Sequence, residues 1–111
     1  MENIQDPEFR RMLAERMRGL ADPTRIHLLH LLMEGEKCVH ELATLVERSQ
    51  ATVSKHLAIL TRCGFIRPAK KGVQTFFTIK NDELKTICHL MCNALRDQLN
   101  EMASAGTKKG R

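Results

Sequence analysis

Four cysteines and five histidines are the residues of this 111-residue chain best suited to hold a soft ion or to be oxidised. Cys88 and Cys92 stand four residues apart in the segment CHLMC. On a helix that spacing puts both sulfurs on one face, and His89, three residues before Cys92, neighbours the second thiol. A second grouping is Cys38-Val39-His40, a thiol and an imidazole two residues apart. Thiolates select soft ions, and mixed sulfur and nitrogen donors also suit zinc, copper and nickel. Neither grouping is complete by itself, since zinc usually takes four ligands. The candidate ligands are a thiophilic metal or metalloid such as arsenite, cadmium or zinc, with no organic cofactor expected. Cys88 and Cys92 can instead be joined by a disulfide or polysulfide bridge, although a relaxed helix holds such a pair too far apart for a strain-free bond. Plain packing is the third alternative, frequent for free cysteine, and it suits Cys63 best. The chain has no Cys-x-x-Cys in a βαβ setting, which argues against a thiol enzyme, so no catalytic residue is expected.

The other chemistry is cationic. From Arg48 to Lys80 there are seven basic residues and no Asp or Glu, although the whole chain carries a net charge of only +5. The remaining 11 basic residues share the rest of the chain with all 13 acidic ones. A contiguous positive third is the footprint expected of a phosphate-binding surface. Within it, the candidate contacts to double-stranded DNA are Ser49, Gln50, Thr52, Ser54, Lys55 and His56 on one helical segment, followed by Arg67, Lys70 and Lys71. Gln can pair bidentately with adenine, and Ser and Thr are permissive. Short polar side chains at a helix start approach base edges closely, while Lys and Arg beyond them meet phosphate or the minor groove.

These residues need elements to position them. Asp6-Pro7-Glu8 and Asp22-Pro23-Thr24 read as helix starts, with an acidic cap and proline in the first turn. The first helix carries Phe9, Met12, Leu13, Met17 and Leu20 at helical spacing. The second is apolar nearly all round, at Ile26, Leu28, Leu29, Leu31 and Leu32, as a central buried helix would be. A third runs from about Val39 to Val46, with Val39, Leu42, Ala43, Leu45 and Val46 inward. After the break Glu47-Arg48-Ser49, Ser49 caps a fourth from about Gln50 to Arg62, with Val53, Leu57 and Leu60 as its apolar stripe. FIRPAKKGVQTFFTIK reads as a hairpin turning at Lys71-Gly72, and Pro68 makes its first strand a short edge strand. A last helix begins near Asp82 and shows Leu84, Ile87, Cys88, Met91, Leu95, Leu99 and Met102 on one face.

Two short helices joined by a tight polar turn form a helix-turn-helix, and the hairpin adds a wing. The expected fold is mainly α with a small β-hairpin, a winged helix-turn-helix. With these residues in place the chain resembles the ArsR/SmtB repressors, over about residues 9 to 100. LADPTRIHLLHLL resembles that family's second-helix signature, SQATVSKHLAILTRCGFI its recognition helix and exit, and KKGVQTFFTI its wing. The resemblance implies a homodimer paired through its first and last helices, bound to operator DNA and released by an inducer. Where the family's arsenic and heavy-metal sensors carry Cys-Val-Cys, this chain has Cys38-Val39-His40. It lacks the Asp-x-His and His-x-x-His set of the family's zinc and cobalt site on the last helix.

The dimer also has a physical basis. The first and last helices each present an apolar stripe, Phe9, Met12, Leu13 and Met17 on one and Leu84, Ile87, Met91 and Leu95 on the other. A chain this small buries limited apolar surface alone. One domain over residues 1–103 and a flexible polar tail over 104–111 are expected. There is no run of about 18 apolar residues and no apolar signal core in MENIQDPEFRR. A cytoplasmic protein without membrane contact follows, in which cysteines are usually thiols, ligands or packing residues.

Overall fold

The computed structural model describes residues 2–109. The chain forms two compact units, divided after Lys80. The first opens on a 3-10 turn, Glu2–Gln5, and continues through α1 (Pro7–Leu20), α2 (Pro23–Met33), the two-residue strand β1 (Lys37–Cys38), α3 (Val39–Val46), α4 (Gln50–Arg62), β2 (Ile66–Lys71) and β3 (Gln74–Ile79). The second is one 27-residue helix, α5 (Glu83–Lys109). The expected fold class is the one observed.

The helix starts form for the reasons their sequences suggest. The Asp6 carboxylate accepts from the Glu8 N–H, and that of Asp22 from the Arg25 N–H. Proline follows each aspartate at a position whose missing N–H costs nothing. Between α3 and α4 the backbone turns at Glu47, in the left-handed region at φ 58°. Ser49 then accepts from the Thr52 N–H and opens α4. Gly64, at φ 86°, turns the chain out of α4 where a residue with a side chain would be strained. The Lys80 N–H donates to the Phe65 carbonyl and closes the base of the hairpin.

All three strands are antiparallel, in the order β1-β3-β2. Pro68 lies opposite Phe77 on the edge strand β2, where its missing N–H leaves the ladder intact. β1 is not apparent from the sequence. It pairs Lys37 with Phe77 and Cys38 with Phe76, a contact made across the chain rather than by local pattern.

The core of the first unit gathers Leu28, Leu29 and Leu32 of α2, Leu42 of α3, Val53, Leu57 and Leu60 of α4, and Phe65, Ile66 and Phe77 around the hairpin. Each such side chain contributes about 1.5–3 kcal/mol by leaving water. Two expectations are corrected: Ile26 and Leu45, read as inward, are exposed, because the apolar face of each helix is narrower than its apolar composition.

In α5 the first turn is set by the Asp82 carbonyl, which accepts from the Lys85 and Thr86 N–H groups. Ile87, Leu90, Met91, Leu95, Leu99 and Met102 are exposed. Leu84, assigned to a dimer stripe by its spacing, is only 2% exposed. The helix runs on to Lys109 through the segment read as a polar tail, whose last residues, 110 and 111, lie outside the described ones. Among the described residues no helix is long and apolar enough to cross a membrane.

Candidate nucleic-acid interface

α3, the turn at Glu47–Ser49 and α4 form a helix-turn-helix, and β2 and β3 form a wing after it. Ser49, Gln50, Thr52, Ser54 and Lys55 are all exposed at the start of α4. They are not equally free. The Ser49 hydroxyl donates to Thr52 Oγ1 at 3.0 Å while accepting from its N–H, so these two residues are occupied with starting the helix. Ser54 and Lys55 have no partner among the described residues, which leaves them available to a duplex.

Gln50 is held at the head of α4 by His40. Its Nε2 lies 3.1 Å from His40 Nδ1. The imidazole proposed from sequence as a metal donor therefore braces the first residue of the recognition helix. A groove of about 320 Å³ joins the same region to the hairpin, with Cys38, His40, Gln50 and Ser54 on one side and Val73 and Gln74 on the other. The polar head of α4 and the tip of the wing thus border one concave surface.

The wing carries Arg67, Lys70 and Lys71, all exposed. Arg67 and Lys70 have no partner among the described residues. Lys71 does: its ammonium is 2.6 Å from Glu36 Oε1 and 5.3 Å from the centre of the Phe76 ring. The acid-free stretch of sequence is thus not acid-free in space, because the fold brings Glu36 to the wing.

His56, expected among the DNA contacts, is half-buried, with Nδ1 3.1 Å from Arg25 Nη1 and 3.9 Å from Asp22 Oδ2. The Arg25 guanidinium also donates to the Gly19 and Arg18 carbonyls. One arginine thereby links the end of α1, the start of α2 and the middle of α4. Asp22 anchors this group, and its carboxyl is held below the usual carboxylate value, chiefly by the Arg25 N–H and also by His56 and the Arg25 charge. Nothing in the local sequence marked this role, because its partners lie 31 and 34 residues away.

The sulfur sites stand apart from one another in kind. Cys38 is buried, Cys63 and Cys88 are half-buried, Cys92 is exposed, and all four are free thiols. Burial, and after it the neighbouring Cys92, push the Cys88 thiol above its ordinary value. His89 Nε2 lies 3.2 Å from the Asn93 amide. At Cys38 the N–H donates to Glu41 Oε1, which fixes the start of α3 and lowers the Glu41 carboxyl. Among the described residues no group of three or more His, Cys, Asp and Glu side chains is arranged to hold a metal. The donors therefore do not form a complete metal site within one chain.

Residues 22–67, from the start of α2 into β2, match the family model described as bacterial regulatory protein, arsR family. An uncharacterised HTH-type transcriptional regulator of Methanocaldococcus jannaschii, MJ1325, is 37% identical over 79 residues, which are 70% of this chain and 89% of that protein. A cadmium resistance transcriptional regulatory protein CadC homolog of Staphylococcus aureus is 32% identical over 76 residues, 68% of this chain and 63% of that one. Among solved structures, the homodimeric winged helix-turn-helix DNA-binding domain Mb0332 of Mycobacterium bovis has the same fold, with a TM-score of 0.78 at 22% identity over 85% of this chain and 87% of that chain. The chain belongs to the ArsR family of transcriptional regulators, proteins that act on genes rather than as enzymes, and α3, α4 and the β2–β3 hairpin are its DNA-binding winged helix-turn-helix.

Proposed function

We propose that this regulator is a homodimeric repressor that holds operator DNA and lets it go when a thiophilic metal ion or metalloid engages Cys88 and Cys92. The observation that carries the DNA half is the shared groove between the head of α4 and the wing, on elements that also carry the exposed cations Lys55, Arg67 and Lys70. Gln50, Ser54 and Lys55 read base edges, with Ser49 and Thr52 holding the helix start, and Arg67, Lys70 and Lys71 meet the backbone.

The dimer half rests on two unpartnered stripes. Phe9, Met12 and Met17 on α1 and Ile87, Met91 and Leu95 on α5 are exposed, with Leu13 half-buried. Large apolar surfaces of this kind mark interfaces, and a two-fold pairing presents two recognition helices to one duplex. Cys88 shares the α5 stripe with Met91 and Leu95 by spacing. Pairing through that stripe supplies the donors that one chain lacks, two thiols from each copy with His89 beside them. Cys38 and His40 are secondary candidates, the first buried and the second committed to Gln50. The CadC homolog, named for cadmium resistance, supports a soft ion as the inducer class. Such an ion acts by favouring a dimer in which the recognition helices are wrongly spaced, and it weakens DNA binding only by its difference in affinity for the two shapes.

The test is a DNA-release titration with arsenite, cadmium, zinc and a polysulfide, on the natural chain and on the Cys88→Ser/Cys92→Ser variant. Release by one of the ions, lost in the variant with DNA affinity intact, is the expected result. Release by polysulfide alone, with a bridge found by mass spectrometry, replaces the ion with thiol oxidation. No release by any of the four removes the inducer assignment and leaves a constitutive regulator.

A further inference from the structure

A second concavity, of about 600 Å³, lies on the first unit away from the reading head. Its walls include Arg16, Arg18 and Gly19 of α1, Arg25 of α2, and Ile59 and Arg62 of α4. Arg62 ends a 13-residue helix that begins at Gln50. At 1.5 Å per residue it sits about 18 Å along the axis from the base-reading end. A duplex seated on the head of α4 and the wing does not need it.

The charges of this cleft are unbalanced. Four arginines line it with a single glutamate, Glu15. Glu15 is already paired with Arg11, at 2.6 Å. Arg25 is spent on the Gly19 and Arg18 carbonyls and on His56. Arg16 donates to the Cys63 carbonyl and lies over the Phe65 ring, 4.7 Å from its centre. The side chains of Arg18 and Arg62 have no partner among the described residues. A guanidinium carries five donors in a planar fork that matches an oxyanion. Like charges gathered in a concavity raise the local concentration of anions. The volume lies in the range of small-molecule sites, and Met12 and Ile59 give part of the wall an apolar surface.

We propose that this cleft binds a small organic oxyanion, a carboxylate or phosphate on an apolar body, between the Arg18 and Arg62 guanidinium groups. Its position gives it a route to the DNA. Arg25 is both a wall of the cleft and the hydrogen-bond partner of His56 in the recognition helix, so the charge of an anion seated beside it acts on the support of α4. Any effect on DNA affinity then returns as an equal effect of DNA on anion affinity. The site itself is defined without DNA, and so is its test.

The probes are 1-naphthoate, 1-naphthyl phosphate and the uncharged 1-naphthalenemethanol, each titrated into the full chain labelled with 15N. The expected result is saturable movement of the Arg18, Gly19, Ile59 and Arg62 amide signals with one or both anions and none with the alcohol. Which anion binds more tightly separates the carboxylate from the phosphate. Arg18→Gln/Arg62→Gln should raise the dissociation constant at least about tenfold, as loss of charge-assisted hydrogen bonds requires, with an unchanged helical signal. Equal shifts with the alcohol, shifts that map elsewhere, or undiminished binding by the variant each overturn the proposal. The comparison of probes on the natural chain decides the matter even if the variant folds poorly.

Discussion

Asp22 puts a single carboxylate to two uses. It caps α2 at the Arg25 N–H, at 3.0 Å, and it faces His56 at 3.9 Å beside the guanidinium that ties three helices together. Asp22→Ala should cost about 1 kcal/mol from the cap alone, read as a lower urea midpoint. Asp22→Asn keeps a capping side chain and should cost less. The pH dependence follows from the same group. Asp22 and Glu41 are both held below their ordinary values in the folded state. Carboxyls depressed by folding stabilise the protein above their unfolded values, and that stability disappears as the pH falls through the folded ones. Stability should decline below about pH 5, and Asp22→Asn should shrink the decline. At this scale the caps were legible, because Asp-Pro and Ser before an apolar period act locally. The roles of His56 and His40 were not, because an imidazole on an exposed-looking stripe gives no sign of Arg25 or Gln50 reaching it from another helix.

The elements themselves were legible to within a residue at α3 and α4, where caps and breaks coincide with the apolar period. β1 escaped, since two residues carry no period and exist as a strand only against Phe76 and Phe77. So did the neutralisation of the wing. Lys71 is tied to Glu36 before any DNA arrives, and freeing it should help. Glu36→Gln should tighten binding to any duplex by up to about fivefold, the range of an ion pair near the surface. Lys70→Ala should weaken it and reduce the salt slope by about one. The packing of α1 on α4 offers a separate check. A Cβ added at Gly19 would meet Cys63 Sγ at 2.6 Å and the Phe65 ring at 3.5 Å. Gly19→Ala should therefore destabilise the domain by about 1–3 kcal/mol, and Cys63→Ala should rescue part of that loss in thermal melts. Gly19 is buried although it lies in a helix, and the close approach of Cys63 and Phe65, just after α4, leaves no room for a side chain there.

For the molecule as a whole, family membership and fold were legible because the segments LADPTR, SQATVSKHL and KKGVQTFF each agree with the element they form. The proposed pairing through the stripes on α1 and α5 would be a property of two chains, and a single sequence carries only its apolar half. Leu95→Glu should turn a dimer into a monomer in sedimentation velocity and weaken DNA binding about 100-fold or more, as loss of a linked second site requires. Selection from a pool of random duplexes tests the central claim, that two copies press the head of α4 and the wing against one duplex. The expected product is an inverted repeat with half-site centres one helical turn apart, about 10–10.5 bp, or a multiple of it. Enrichment of nothing, or of a lone half-site bound by a monomer, would contradict it.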